Sequence, residues 1–478
     1  MDFWMTLAAI TGALLLAVGA AQAQTFQVIH RFNGTDGGNP HAGLTIDHAG
    51  NLYGTTEYGG THTCFDGVGC GTVFKLSPRG SGWALSKLYD FTGGNDQSFP
   101  ESRVVFGPSG SLNGTTSNGE FGAGGGPGTV FNLRPPANLC RSFTCPWTET
   151  VLFSFSYDSG TGNLPMGDLA FDAVGNIYGT TFAGGMLQNC SGGGCGVVYE
   201  LSQSGRDWTE NILWAFMSEQ DGAFPASGVI FDRAGNLYGT TIGPQSGLGL
   251  IFELSPQGSG WTERVLYNLQ GNDGEHPYAG LISDAAGNLY GATEHGGVNF
   301  GGTVFALTAS GGHWDFSLLA SLVQGRGSFG PLQSLVMDSA GNLYGASRTD
   351  GVNGLGSIFR LSPSHGGWIY TSLHDFAGSD GYYPNGNLVL DANGNLYGTA
   401  FGGGNTGTGC SQECGVVFEI TPQERWSAAR YGRTSAMDFW MTLAASGNLY
   451  GTTARGGAYG YVSSGRSLRK SSSGSGLL

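Results

Sequence analysis

The chain has 478 residues, of which 88 are glycine and 12% are charged, and its formal net charge is -15. An apolar share of 40% argues against a disordered chain. The negative charge, with no basic stripe carrying interleaved aromatic residues, argues against a nucleic-acid partner. The glycines are therefore expected mostly in the turns of a folded domain.

The N-terminal segment 7–24 reads LAAITGALLLAVGAAQAQ, an apolar run that ends in Ala21-Gln22-Ala23. This pattern is typical of a secretory signal peptide, so residues 1–23 are predicted to be removed on export, although the leading MDFWM lacks the usual positive charge. No later segment reaches the roughly 18 apolar residues of a spanning helix. The mature protein is expected to be secreted, periplasmic or at the cell surface, with no membrane span.

One short motif, NLYG or a close variant, organises the rest of the chain. Its copies recur at intervals of about 52 to 65 residues and begin at Asn51, Ser111, Asn176, Asn236, Asn288, Asn342, Asn395 and Asn448. Such a period is typical of propellers or arrays of small sheets, and it leaves no room for a second fold. Residues 24–460 are predicted to form one repeat domain, and the Ser/Gly-rich tail 461–478 is predicted to be disordered.

Each copy divides into four predicted strands, named A to D. In the first copy they are AGLTID, NLYGTT, GTVFKLS and WALSKLYDF, which are β-branched and aromatic runs bounded by turn residues. Between strands A and B an aspartate is followed three residues later by glycine, and we interpret it as a turn cap without a catalytic role. These aspartates are Asp47, Asp172, Asp232, Asp284, Asp338 and Asp391.

The gradient of residue size across the copy predicts an all-β fold, a β-propeller of four-stranded blades. Strand B ends in small residues, whereas strand D carries bulk such as Trp83 and Tyr89. Blades that radiate from an axis are crowded inside and roomy outside, unlike the rungs of a parallel β-helix. Residues 25–32 match an isolated strand D and are predicted to close the ring by completing the last blade.

We predict eight blades, with seven blades and a degenerate eighth copy as the alternative. The last copy reads AYGYVSSGRSLRK after Gly457, where a strand C such as GTVFKLS is expected. It also contains MDFWMTLAA, the first nine residues of the chain, repeated verbatim at 437–445. This segment fits the apolar pattern of strand A, and a recombination event or a sequence-assembly error explains the duplication equally well.

The eight cysteines fall into four close pairs, which predict four local disulfides. Each bridge would close a small loop and stabilise the fold by only about 2 kcal/mol. A zinc site is disfavoured, because neither a C-x-x-C spacing nor a set of histidine partners accompanies the pairs. The pairs are Cys64 with Cys70, Cys140 with Cys145, Cys190 with Cys195, and Cys410 with Cys414.

Several motifs together resemble one known family. NLYGTT, the GG that follows it, GTVF-x-L and F-x-G-x-D-G-x-x-P are similar to the Gloeobacter/Verrucomicrobia-type (GloVer) tandem repeat family, over about residues 25–457. The resemblance implies a bacterial, exported, propeller-like protein. The signature residues of Kelch and NHL propellers are not matched.

The D-to-A and B-to-C loops of such blades emerge on one face, here called the loop face, which is the expected binding surface. A recurring acidic turn before proline is interpreted as an ordinary turn in preference to a ring of carboxylates that binds a cation or sugar hydroxyls. Four histidines scattered over the blades are interpreted as loop residues in preference to a metal or acid–base site. The binding-face candidates are Asp36, His41, His62, Asp96, Asp221, Asp273, His276, His295 and Asp380.

No nucleophile elbow, H-E-x-x-H or P-loop motif occurs, and the G-x-G-x-x-G match at Gly402 lacks the helix that a dinucleotide site needs. The sequence therefore predicts no catalytic residue, no cofactor and no metal site. The preferred function is non-catalytic binding of a glycan or a protein through the loop face. The alternatives are a polysaccharide hydrolase or lyase with carboxylates near the axis, and a structural or adhesive surface protein.

Overall fold

The computed structural model describes residues 24–422, apart from 65–66, 118–125, 137–146, 159, 188–189, 191–192, 218–220, 244–246, 324–328 and 411–412, together with 439–443, 449–453 and 468–469. The chain divides into two compact units, one of Ala23–Pro422 and the other of Met1–Gln22 and Gln423–Leu478. The predicted signal peptide lies outside the described residues. A search of the described residues finds no helix long and apolar enough to cross a membrane.

The larger unit is a β-propeller of seven four-stranded antiparallel sheets, called blades 1 to 7, and strands A to D follow one another in each. The strands in chain order are β1 (Gln24–Arg31); in blade 1, β2 (Thr45–Ile46), β3 (Leu52–Thr56), β4 (Thr72–Arg79) and β5 (Gly82–Asp90); in blade 2, β6 (Val105–Phe106), β7 (Leu112–Thr116), β8 (Thr129–Arg134) and β9 (Thr148–Ser154); in blade 3, β11 (Ala170–Phe171), β12 (Ile177–Thr181), β14 (Val197–Ser204) and β15 (Asp207–Ala215), beside a separate short pair, β10 (Gly162–Asn163) and β13 (Ala183–Gly184).

The remaining blades follow the same plan. Their strands are, in blade 4, β16 (Ile230–Phe231), β17 (Leu237–Thr241), β18 (Leu250–Gln257) and β19 (Gly260–Asn268); in blade 5, β20 (Ile282–Ser283), β21 (Leu289–Thr293), β22 (Phe300–Ser310) and β23 (His313–Val323); in blade 6, β24 (Val336–Met337), β25 (Leu343–Ser347), β26 (Ser357–Ser364) and β27 (Gly367–Asp375); and in blade 7, β28 (Val389–Leu390), β29 (Leu396–Ala400), β30 (Val416–Pro422) and β1.

Strand β1 completes the seventh blade by running antiparallel to β30, with Val28 opposite Phe418. The prediction of eight blades is therefore wrong, and the seven-blade alternative fits. The last repeat copy instead forms a separate three-stranded sheet of β31 (Phe439–Leu443), β32 (Leu449–Thr453) and β33 (Leu468–Arg469). The physical reason is that β1 already occupies the edge of β30, while the eighth copy lacks a strand C like those of the other copies.

Both faces of each blade are buried against neighbouring blades, which explains the adjacent apolar residues of NLYG. Leu52 packs in a cluster with Tyr397 between blades 7 and 1, whereas Tyr53 packs with Phe131 between blades 1 and 2. Seven buried clusters each join two successive blades in this way. Burying a large apolar side chain stabilises a fold by about 1.5–3 kcal/mol, so the clusters are the main support of the ring.

The glycine of NLYG makes room for the aromatic residue of strand C. Gly239 lies opposite Phe252 in the sheet register, and a Cβ atom on Gly239 would lie 2.5 Å from Phe252 Cζ. Gly54 and Phe74 repeat the arrangement in blade 1. Because the buried ring fills the space of a side chain on strand B, the motifs NLYG and GTVF depend on each other.

The aspartate between strands A and B caps its turn, as predicted. Asp232 Oδ1 accepts the N–H of Ala234 (2.8 Å) and Asn236 (2.9 Å), and Oδ2 accepts Asn236 Nδ2 (2.8 Å) and the Tyr238 hydroxyl (3.2 Å). Burial acts to raise the pKa of Asp232, but these hydrogen bonds outweigh it and lower the pKa below its ordinary value. The Asn and Tyr of NLYG are thus both partners of the turn aspartate.

The residue before the D-to-A proline joins two blades through its backbone. In blade 5, His276 N–H donates to Leu248 O of blade 4 (2.9 Å), and His276 O accepts Glu294 N–H after strand B (3.1 Å). Six such residues have a left-handed backbone with φ between 49° and 58°, namely Asn39, Phe99, Leu164, Phe224, His276 and Tyr383. That conformation costs about 1–3 kcal/mol at a residue other than glycine, and the two inter-strand hydrogen bonds offset it.

Three of the four predicted disulfides are present, and Cys140 with Cys145 lies outside the described residues. The bridges are Cys64–Cys70, Cys190–Cys195 and Cys410–Cys414. The second cysteine of each is fully buried, and its carbonyl accepts the inter-blade hydrogen bond of the next D-to-A loop, from Phe99, Phe224 and Asn39 respectively. The bridges therefore fix the loop ends that anchor the following blade.

Strand D carries a half-buried glutamate in three successive blades, Glu149, Glu210 and Glu263. Burial raises the pKa of each to about 7. The carboxyls of Asp96 and Asp221 act in the same direction on Glu149 and Glu263, whereas a hydrogen bond from Gly162 N–H opposes the shift at Glu210. The folded protein is therefore expected to bind protons at these three carboxyl groups as the pH falls through about 7.

We expect Gly239→Ala to lower the free energy of unfolding by about 1–3 kcal/mol, because the added methyl must displace the buried Phe252 ring. Gly260→Ala in the same blade is the matched control, since a Cβ atom there would meet nothing within 4 Å. Urea unfolding followed by tryptophan fluorescence measures both. Equal unfolding midpoints for the two variants would contradict the proposed glycine–aromatic packing.

We expect Glu263→Gln to remove part of the pH dependence of stability. Because burial raises the native pKa above the ordinary 4.5, the stability from protonated Glu263 is complete below about pH 4.5 and is lost as the pH rises through about 7. The wild type should therefore lose stability relative to the variant over that range. Urea midpoints between pH 4 and 8 test this, and parallel curves for the two proteins would count against it.

Candidate functional site

Seven equivalent positions, one in each blade, approach one another around the propeller axis. Each directly precedes the apolar residue that leads into strand A, and the residues are Gly43, Arg103, Asp168, Gly228, Gly280, Ser334 and Asn387. A Cβ atom on Gly43 would lie 2.5 Å from Asn387 Cβ, and one on Gly228 would lie 2.0 Å from Asp168 O. Neighbouring blades thus touch here, and glycine is required beside the larger residues.

Six of these positions, all except Gly43, line a cavity of about 700 Å³, here called the axial cavity, and Ile46 completes the contribution of all seven blades. Apolar side chains from the strand A regions form much of its wall, including Ile46, Phe231 and Met337. Glu101 and Arg103 add charged groups from the D-to-A loop of blade 2. The wall combines polar and apolar surface in about equal measure, and a concave site with convergent polar groups can hold a ligand.

The main polar group in the axial cavity is a network across blades 2, 3 and 7. Arg103 donates hydrogen bonds to Asp168 through its backbone N and its Nε, each at 3.0 Å, and its Nη2 forms an ion pair with Asp168 Oδ2 at 3.0 Å. Asn387 Nδ2 also donates to Asp168 Oδ2 (3.1 Å). Asn387 Oδ1 is buried and has no hydrogen-bond partner among the described residues. The network therefore fixes three side chains and presents an unused acceptor.

His41 and Arg348 form a second polar group on the loop face, contributed by blades 1 and 6. Burial lowers the pKa of His41 to about 4, the positive charge of Arg348 acts in the same direction, and a hydrogen bond with the Glu101 backbone opposes both. The Arg348 guanidinium lies over the rings of Phe329 (5.3 Å) and Tyr383 (5.5 Å). His41 is thus neutral at physiological pH, while Arg348 supplies a fixed positive charge.

Two of the predicted histidines, His276 and His295, are brought together with Glu294 on blade 5. His295 Nε2 lies 3.4 Å from Glu294 Oε2, and the two imidazole centroids are 5.6 Å apart. The three possible ligand atoms all lie within 4.8 Å of one another. Burial raises the pKa of Glu294 to about 7, and Arg348 opposes this shift.

The five acidic residues of the D-to-A loops each close their own turn. Each carboxylate accepts a backbone N–H three or four residues earlier, at 2.7–3.0 Å. In four of the turns a strand D side chain also contacts the carboxylate, and these are His30, Tyr89, Tyr267 and His374. In the part of the chain that the structure describes, Asp36, Asp96, Asp221, Asp273 and Asp380 are not part of the axial cavity lining.

The structure adds residues to the candidates and separates others. His62 is exposed and lies two residues before Cys64, outside the loop that the Cys64–Cys70 disulfide closes and apart from the polar groups above. Sequence reasoning missed Arg103, Asp168, Asn387 and Glu294. An alignment of the copies would have flagged the first three, because they differ at one position where three other copies have glycine.

Comparison with solved structures shows low similarity. A protein from Thermus thermophilus, provisionally assigned as an oxidoreductase (glucose dehydrogenase), is 15% identical, with 83% of this chain and 100% of that chain covered and a TM-score of 0.37. A protein of unknown function from Dyadobacter fermentans is 10% identical, with 83% and 98% covered and a TM-score of 0.41. A Lactobacillus plantarum protein is 13% identical, with 71% and 87% covered and a TM-score of 0.45.

Similarity at this level carries no argument about function. No curated protein matches the sequence. A family model, the Gloeobacter/Verrucomicrobia repeat, matches twice, over residues 18–241 and 185–412. The two matches together span residues 18–412, which is most of the chain. The chain therefore belongs to the Gloeobacter/Verrucomicrobia repeat family.

Proposed function

We propose that this protein is an exported, non-catalytic propeller that binds a glycan in the axial cavity, approached from the loop face. One observation carries the proposal. The positions that build the blades keep the same residue types from copy to copy, whereas the axial positions differ and bring Arg103, Asp168 and Asn387 together. Repeat copies that differ at the position where they converge suit a single shared ligand.

The chemistry of the axial cavity suits a ligand with several hydroxyl groups. Arg103 uses two side-chain nitrogens on Asp168 and retains further donors, while Asn387 Oδ1 is an unused buried acceptor. A hydroxyl both donates and accepts, so it can satisfy either group. The apolar side chains of Phe231 and Met337 in the wall offer contact to the C–H face of a sugar ring.

Export is supported by the redox chemistry of the cysteines. Three local disulfides are present, and bonds of this kind persist in oxidising compartments outside the cytoplasm. The apolar segment at 7–24 gives the route of export. Glycans are abundant in these compartments, which fits the proposed ligand class.

A second candidate is a hydrolase or lyase that acts on the same ligand class. It is favoured by the two carboxyl groups in the axial cavity lining, Glu101 and Asp168. Glycosidases use two carboxyls, one of which must be free to attack or to activate water. Asp168 instead accepts three hydrogen bonds, two from Arg103 and one from Asn387, and forms an ion pair with Arg103, so its geometry fits ligand positioning better than attack.

We expect the secreted full chain to bind at least one class of oligosaccharide on a glycan array, and Arg103→Gln to weaken that binding. Loss of a charged hydrogen bond costs about 1.5–3 kcal/mol, which corresponds to a Kd increase of about 10- to 100-fold. Isothermal titration with the best glycan measures the Kd, with a chelator present so that bound metal plays no part. Thermal unfolding checks that the variant is folded.

Asp380→Asn is the control, because Asp380 closes an outer turn and is not part of the axial cavity lining. Its Kd should stay within about twofold of the wild type, which is within about 0.4 kcal/mol. Unchanged binding in Arg103→Gln, or an equal loss in Asp380→Asn, would refute the axial site. Glycan cleavage that disappears with Glu101→Gln would establish the hydrolase or lyase in place of non-catalytic binding.

A further inference from the structure

Three residues of blade 5 combine two histidines with a buried carboxylate. His276 precedes Pro277 in the D-to-A loop, and Glu294 and His295 directly follow strand B. Their ligand atoms lie within 4.8 Å of one another, and His295 Nε2 is 3.4 Å from Glu294 Oε2. Glu294 is only 6% exposed, so its carboxyl group is placed in the protein interior beside two imidazoles.

The backbone holds these three residues in place before any ligand binds. Glu294 N–H donates to His276 O (3.1 Å), and Glu275 and His295 exchange two backbone hydrogen bonds, of 2.9 and 3.1 Å. The left-handed φ of 49° at His276 is the conformation shared by the pre-proline residues of five other copies. The fold therefore sets the direction of this side chain, and blade 5 alone uses the position for a histidine.

No other blade has both a histidine and a glutamate at the same two positions, although blade 1 also has a glutamate after strand B. The pre-proline residue is elsewhere Asn39, Phe99, Leu164, Phe224, Gly330 or Tyr383. The first residue after strand B is elsewhere Glu57, Ser117, Phe182, Ile242, Arg348 or Phe401. Since neither the blade fold nor the inter-blade hydrogen bonds require His, Glu and His here, their combination in blade 5 calls for a local explanation.

Two imidazoles and one carboxylate are a ligand set of divalent transition metals. Zinc sites of the His2Glu type use three protein ligands and keep a fourth position for water or substrate, with bonds of about 2.0–2.2 Å. Such bonds would draw the three ligand atoms to about 3.3 Å from one another, close to the separation that Glu294 and His295 already have. Calcium and magnesium prefer oxygen ligands, so they fit this set poorly.

The surroundings support the same assignment. The Phe329 ring packs against the His295 imidazole, with centroids 5.3 Å apart, and limits the orientations of that ring. A cation at this site would neutralise the buried carboxylate of Glu294, on which the positive charge of Arg348 also acts. Two neutral histidines without a metal ion would not neutralise the carboxylate of Glu294.

We propose that His276, Glu294 and His295 bind one divalent transition-metal ion of the zinc class on the loop face of blade 5. The site is separate from the axial network of Arg103, Asp168 and Asn387 and does not depend on the glycan proposal. It leaves one coordination position open, so the ion can accept a water molecule or an anionic or hydroxyl group of a ligand that reaches the loop face.

The test is zinc titration of the untagged, chelator-stripped full chain by isothermal calorimetry, with cobalt absorbance as a report on coordination geometry. We expect one saturable zinc equivalent per chain and a rise in Tm with zinc, but no response to calcium. His276→Asn is the matched variant, because Asn39 has the same left-handed conformation at the equivalent position of blade 1. Glu294→Gln keeps the shape and removes the charge.

Each variant should weaken zinc binding by on the order of 100-fold or more, since loss even of an outer-shell partner costs 10- to 100-fold. His313→Asn is the control, because His313 is an exposed residue in strand D of the same blade. The proposal would be overturned if the wild type showed no saturable zinc binding. It would also be overturned if His276→Asn and Glu294→Gln bound zinc as tightly as the wild type does. Arg103→Gln should leave zinc binding unchanged, so failure of one proposal is distinguishable from failure of the other.

Discussion

The backbone bridge at the pre-proline residue is the interaction on which the rest of the molecule depends. Its N–H donates a hydrogen bond to a carbonyl of the preceding blade, and its C=O accepts one from the residue that follows strand B in its own blade. His276 does this with Leu248 and Glu294. A residue forced into a left-handed conformation is costly, so its recurrence in six copies indicates that the inter-blade hydrogen bonds offset the strain. These bridges join each D-to-A loop to the preceding blade and to the end of strand B in its own blade.

The disulfides support the same inter-blade hydrogen bonds. Cys70, Cys195 and Cys414 provide the carbonyls that accept from the next blade, and each is locked by a neighbouring half-cystine. A short disulfide loop contributes little through chain entropy. Its larger effect here is to keep a buried carbonyl in position, including the carbonyl of Cys414 that joins blade 7 to blade 1 through Asn39.

The repeat copies contain two kinds of position: positions that hold the blade together and positions that are free to differ between copies. The four residues of NLYG have fixed tasks, since Asn and Tyr hold the turn aspartate, Leu and Tyr pack on opposite neighbours, and Gly accommodates the strand C aromatic residue. Positions with no such task are free to differ between copies. They do so at the axis, with Arg103 and Asp168, and after strand B in blade 5, with Glu294.

The sequence by itself determined the blade. A period near 53 residues, four strand patterns per copy and the D-x-x-G-N turn follow from local rules of strand, turn and burial, and the three described disulfides were predictable from close cysteine spacing. It also placed His276 and His295 on the loop face. These features depend on residues close to one another in the chain.

Only the tertiary structure decided the number of blades and the composition of the sites. Whether strand β1 pairs with β30 depends on how many blades form the closed ring. The eight motif copies in the sequence do not reveal that the ring closes with seven blades. Asp168 meets Asn387 across 219 positions of sequence, and that contact exists only once the ring is closed. Local sequence patterns determine the structure of each blade, whereas the packing of side chains between blades determines the angle between neighbouring blades.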